Sequence, residues 1–164
     1  MKELLRKILI TLVLIVIGIP LLILFLPFII IFSIFEHFRQ KRFIKEYNNY
    51  LLSIEGKKFF FYNNRKNNHH YVEKNIISKL TGDVEYVFLE GKNLKSEFNR
   101  KYLSHMLFNV SDRKGFPYLI KINNGKALDK SINSKFYNFK NQNKNPQDLI
   151  VLINTSFDNL KSTL

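Results

Sequence analysis

The densest group of side chains able to do chemistry is Asn63-Asn-Arg-Lys-Asn-Asn-His-His70, with Glu73 four residues after His69. Imidazoles titrate near neutral pH and ligate metals, so the pair invites both readings. Adjacent histidines on a helix point in different directions, and one carboxylate at a four-residue step falls far short of a His-Glu-x-x-His zinc signature. A solvated or tuned histidine pair fits better, and we assign no metal and no cofactor. His105 and His37 stand apart from any such group, and Asp83, Asp112 and Asp129 sit singly beside turns, where Asp bonds backbone. Gly-x-Ser-x-Gly, a P-loop and Gly-x-Gly-x-x-Gly are all missing from the chain. With no cysteine there are no disulfides, thiolate metal sites or cysteine nucleophiles. No enzymatic reaction can be named from these residues.

Cations dominate the rest. The chain carries 26 Lys+Arg against 13 Asp+Glu and a formal net charge of +13. Such a balance raises nucleic-acid binding as a class. The cations are scattered, however, the phenylalanines fall on expected core positions, and no nucleic-acid motif is present, so that class is set aside.

One segment dominates the organisation. Residues 8–35 contain no charge, and only Thr11, Gly18, Pro20, Pro27 and Ser33 are not strongly apolar. As a helix this stretch would extend about 42 Å, against a hydrocarbon core of about 30 Å. A cleaved leader is the competing reading, because Lys2, Arg6 and Lys7 form a basic lead-in. The stretch is long for a leader, and the single alanine, Ala127, leaves no small-residue cleavage site. Residues 1–35 therefore read as a membrane anchor. Pro20 and Pro27 leave two geometries open, a single tilted crossing or a re-entrant hairpin.

Residues 36–56 read as a basic amphipathic helix continuing from the anchor, with Ile44, Tyr47, Leu51 and Ile54 at helical steps. Arg39, Lys41, Arg42 and Lys45 could meet anionic lipid headgroups, each worth about 1 kcal/mol near the surface. With the further Lys57 and Lys58, these charges favour a cytoplasmic body on a bacterial inner membrane.

Residues 57–164 alternate between two-residue and helical periods, an α/β pattern. Lys57–Tyr62 suits a central strand, and a helix capped by Asn67 or Asn68 follows to Leu80, stopping at Thr81-Gly82. Val84–Leu89 is a second strand, and Ser96-Glu97 opens a helix with Phe98, Tyr102, Met106 and Val110 on one face. Tyr118–Ile122 and Lys126–Lys130 form a hairpin about Asn124-Gly125. Ser131–Asn145 reads as irregular, and Pro146 opens a C-terminal helix.

Phe116-Pro117-Tyr-Leu-Ile-Lys-Ile-Asn-Asn-Gly125, together with this element order, resembles the thioredoxin fold over about 57–164. Members of that fold carry a proline, usually cis, before a strand ending in a similar turn, and Pro117 holds that position. The family's redox motif would open the first helix of the domain, where this chain has Asn63 to Asn68, so the resemblance implies the fold without the disulfide chemistry. It also implies that the loop before that helix meets the loop before Pro117. Arg65, Lys66, His69 and His70 would then face Arg113, Lys114, Phe116 and Pro117 across an edge suited to an anionic ligand or acidic peptide, with Tyr62 adding apolar contact. The expected function is a membrane-anchored, non-catalytic binding module with a protein partner. Two alternatives are a membrane-surface enzyme acting on an anionic or lipid-linked substrate and a small subunit of a membrane complex.

Overall fold

A computed structural model describes residues 2–80 and 82–160. The chain forms two compact units, Met1–Glu46 and Tyr47–Leu164, and the boundary falls inside the 36–56 segment. One helix, α1 (Lys2–Ser53), carries both the apolar stretch and the basic stretch after it.

In the first unit α1 continues through Pro20 and Pro27, so the re-entrant hairpin gives way to one uninterrupted helix. Proline removes a single backbone donor, and the flanking turns retain theirs. The polar atoms in the apolar stretch are satisfied locally: Thr11 Oγ1 donates to the Lys7 carbonyl at 2.9 Å and Ser33 Oγ to that of Ile29 at 2.8 Å. Every leucine, isoleucine, valine and phenylalanine of residues 8–35 is exposed, Phe35 at 71% and Leu24 at 60%. This helix is long and apolar enough to cross a membrane, a property that a leader near an N-terminus shares.

The second unit is an α/β sandwich. Its mixed sheet contains β1 (Lys58–Asn63), β2 (Val84–Glu90), β3 (Asn93–Lys95), β4 (Tyr118–Asn123) and β5 (Lys126–Ser131), ordered β3-β2-β1-β4-β5. β1 and β2 are parallel, and β4 runs antiparallel to β1. The core follows from the two-residue period of β1. Phe60 and Tyr62 face one way, toward Val72 and Ile76, Phe136, and Leu149, Ile153 and Phe157. Those residues belong to or border α2 (Asn68–Asn75), α4 (Asn133–Asn141) and α5 (Pro146–Asn159). Phe59 and Phe61 face the other way, toward Leu51 in the last turns of α1 and Leu103, Met106 and Val110 on or beside α3 (Arg100–Phe108). A strand buried on both faces must be apolar throughout, and this accounts for three consecutive phenylalanines.

The hairpin turns as the Asn-Gly pair requires, with φ of 54° at Asn124 and 65° at Gly125. The Glu55 carboxylate accepts from both turn amides, at 2.8 and 2.9 Å. Pro146 stands in the first turn of α5, which Asn145 caps by accepting from the Gln147 amide at 3.0 Å.

Four local expectations need correction. Residues 131–145 are not irregular: α4 forms there because Ile132 and Phe136, four apart, both bury against the sheet. β3 was not foreseen; Gly91, at φ 60°, turns the chain back on β2. α2 ends at Asn75, and the segment to Leu80 continues as a tighter turn over Ile77–Lys79. Thr81, assigned to the helix stop, lies outside the described residues, as do 161–164. α3 begins at Arg100 rather than Ser96, because Asn99 caps it by accepting from the Lys101 amide at 3.0 Å.

Candidate functional site

A cleft of about 510 Å³ opens at the carboxyl ends of the parallel strands β1 and β2, the end of an α/β sheet at which ligands commonly bind. Strand register sets its floor. Tyr62 on β1 lies opposite Phe88 on β2, with ring centroids 5.1 Å apart. Phe88 in turn lies opposite Lys95 on β3, whose ammonium stands 5.9 Å from the Phe88 ring and 2.6 Å from Glu90. That contact holds the Glu90 carboxyl below the usual carboxylate range.

Helix α2 supplies the opposite wall. His69 and Glu73 are one turn apart and lie on the same face. His69 packs edge-on against Phe88 at 4.4 Å, and its Nε2 lies 3.6 Å from Glu73 Oε1. The Tyr62 hydroxyl donates to the same oxygen at 2.5 Å. Burial, and then the neighbouring Glu73 carboxylate, push the Tyr62 hydroxyl upward, so it remains a protonated donor across the physiological range. Asn64 accepts from the His69 amide at 3.3 Å, and the Tyr86 hydroxyl donates to the Ile77 carbonyl at 3.2 Å. The cleft thus combines aromatic walls with two carboxylates. A cleft of this volume can hold a small ligand. Among the described residues no group of three or more His, Asp or Glu is arranged to hold a metal ion.

The residues singled out from sequence divide among different surroundings. His69 lines the cleft, while His70, its neighbour, is exposed outside it. Arg65 and Lys66 lie in a tight turn in which Lys66 and Asn67 adopt positive φ. The Lys66 ammonium sits 4.9 Å from the Tyr137 ring, and its carbonyl accepts from Lys140 at 2.7 Å. Across the sheet, Phe61 pairs with Tyr118, so register brings the Phe116-Pro117 segment to the same end of the sheet as Asn63. The Phe116–Pro117 bond is cis, and Pro117 is buried. Lys114 and Arg113 are exposed, and Lys114 lies 3.4 Å from Asp112. Asp112 and Asp129 hold this loop, Asp129 by accepting from the Ser111 and Asp112 amides at 2.9 Å each. Asn133 Nδ2 donates to the Phe116 carbonyl at 2.5 Å. Arg39, Lys41, Arg42 and Lys45 lie on the exposed surface of α1, where Arg39 pairs with Glu36 at 2.7 Å.

Sequence reasoning missed Glu90, Tyr86 and Phe88 as cleft residues because their neighbours on β1 and α2 are set by strand register, and Lys95 because it lies on the short strand β3. Of the two cap candidates, Asn67 is the residue that precedes α2, without a side-chain hydrogen bond to it, and Asn68 is the first residue of the helix. Asn68 is buried at 2% exposure and joins α2 to α4, donating to the Tyr137 hydroxyl at 2.7 Å and accepting from Lys140 at 2.8 Å. Burial, and then the charge of Lys66, lower the Lys140 ammonium. Comparison with known proteins finds no family model, no curated protein and no solved structure that matches this chain.

Proposed function

We propose that the protein is a membrane-anchored, non-catalytic binding module, held in a bilayer by residues 8–35 and presenting the α/β body to a protein partner on the cytoplasmic side of a bacterial inner membrane. One observation carries the anchoring: a charge-free helical stretch whose large apolar side chains all lie exposed. Lipid removes that surface from water without requiring any protein partner. Arg39, Lys41, Arg42 and Lys45 follow at the end where anionic headgroups would meet them.

The body reads as thioredoxin-like without redox thiols. Support comes from the inner strand order β2-β1-β4-β5, with β1 and β2 parallel and β4 and β5 antiparallel, and from Pro117 just ahead of β4. Where that fold's thiols would stand, this chain has Asn63 to Asn68. A binding role suits a cleft with aromatic walls.

Washing membranes that contain the full chain with alkaline carbonate tests the anchoring. The protein is expected to stay in the pellet and to dissolve only with detergent, its N-terminus still ahead of Ile8. Release by carbonate, or a mature form starting beyond Phe35, refutes it.

A further inference from the structure

The cleft's chemistry runs against the charge of the molecule. On a chain of net charge +13, its ionised groups are Glu73, Glu90 and Lys95, beside the imidazole of His69. Lys95 is already committed to Glu90. Glu73 Oε1 takes the Tyr62 hydroxyl and faces His69, while its second oxygen has no hydrogen-bond partner among the described residues. The Glu73 side chain as a whole is 44% exposed. The half-buried rings of His69 and Phe88 pack edge-on beside this carboxylate, over Tyr62, which is 4% exposed and lies 5.1 Å from Phe88. Aromatic faces attract cations, and a planar cation gains most because it lies flat on a ring while its edge donates to a carboxylate. Lys95 is the opposing cation within the cleft, 5.9 Å from the Phe88 ring and offset by Glu90 at 2.6 Å, while charges beyond about 8 Å are largely screened at physiological salt.

We propose that this cleft binds a guanidinium group, seated against the partly exposed Phe88 and His69 rings and donating to the Glu73 carboxylate. Guanidinium is favoured over an alkylammonium because it is less strongly hydrated and matches a carboxylate with two parallel donors. The group could come from an arginine side chain of the partner or from a free small molecule. The inference gives the partner of the proposed binding module its chemistry and rests on that reading for its use in the cell.

The test is amide NMR on the full chain in detergent micelles, titrated separately with arginine amide, an acetylated Gly-Arg-Gly amide, lysine amide and inorganic phosphate. Arginine amide at millimolar concentration is expected to shift resonances at Tyr62, His69, Glu73 and Phe88. Glu73→Gln is expected to weaken it about fivefold, the scale of losing one charge from a part-exposed pair, and Phe88→Leu, which retains bulk, should also weaken it. Tighter binding of the peptide identifies a partner side chain as the source; equal or weaker binding identifies a free ligand. Both results support the site. No localised shift with either arginine probe, equal binding of lysine amide, preferential binding of phosphate at these residues, or indifference to both substitutions would overturn it. Unchanged resonances away from the cleft verify that each variant is folded. Micelles hold the chain whether or not α1 crosses a bilayer, so failure here leaves the anchoring untouched, and failure of anchoring leaves this result standing.

Discussion

Removing residues 8–35 while keeping 36–53 is expected to move the protein from the membrane pellet to the soluble fraction, with the body still folded. Leucine, isoleucine, valine and phenylalanine each gain about 0.3–0.6 kcal/mol at the centre of a membrane helix, so about twenty of them supply roughly 10 kcal/mol. The four cations at Arg39, Lys41, Arg42 and Lys45 supply about 1 kcal/mol each at most, and salt screens them. The apolar term therefore decides location. The retained turns matter for a different reason: Leu51 is 3% exposed and packs with Phe59, Phe61, Leu103 and Met106. Extending the deletion to residue 53 should cost the body part of a core and leave it prone to aggregate. Sedimentation after ultracentrifugation and a dispersed amide spectrum separate the two variants. A shorter deletion that remains in the pellet would place the membrane affinity elsewhere.

Phe60→Ala is expected to remove about 3–5 kcal/mol of stability, a large share of the roughly 5–15 kcal/mol of an ordinary domain. Phe60 is fully buried on a central strand between β2 and β4, and the helices on its face cannot close over the void without moving the sheet. Phe61→Ala should cost a similar amount through the opposite core, and because the two side chains point to opposite faces the losses should nearly add. Phe108→Ala is the control: this ring is 79% exposed, and its loss should fall within about 0.5 kcal/mol. Urea titration of the detergent-solubilised chain compares all three. Equal midpoints for Phe60→Ala and Phe108→Ala would mean that β1 is not central.

Much of this architecture was legible because its signals are local and strong. The charge-free run defines α1, the run of phenylalanines defines β1, Asn124-Gly125 fixes the hairpin and Pro146 opens α5. α4 was hidden by composition. Asn133-Ser-Lys-Phe-Tyr-Asn-Phe-Lys-Asn141 reads as polar, and its fully buried pair is Ile132 and Phe136, four residues apart, with Tyr137 and Phe139 packed partly against the same core. β3, only three residues long, has an apolar signal that is Leu94 alone. The cleft was illegible for a deeper reason. Tyr62, His69, Phe88 and Lys95 are brought together by a parallel register and a hairpin, and neither follows from spacing along the chain. His69 is legible by its chemistry, whereas its contacts with Phe88 and Glu73 depend on how α2 lies over β2.

The account stands on residues 8–35 lying in lipid, and the absence of cysteine makes that directly measurable. Ile23→Cys and, separately, Lys126→Cys would be treated with a membrane-impermeant maleimide in sealed inverted vesicles. Cysteine at position 126, on the exposed hairpin of the body, is expected to react at once. Cysteine at position 23 is expected to stay unmodified until detergent is added. Equally rapid reaction at position 23 in intact vesicles would contradict the account.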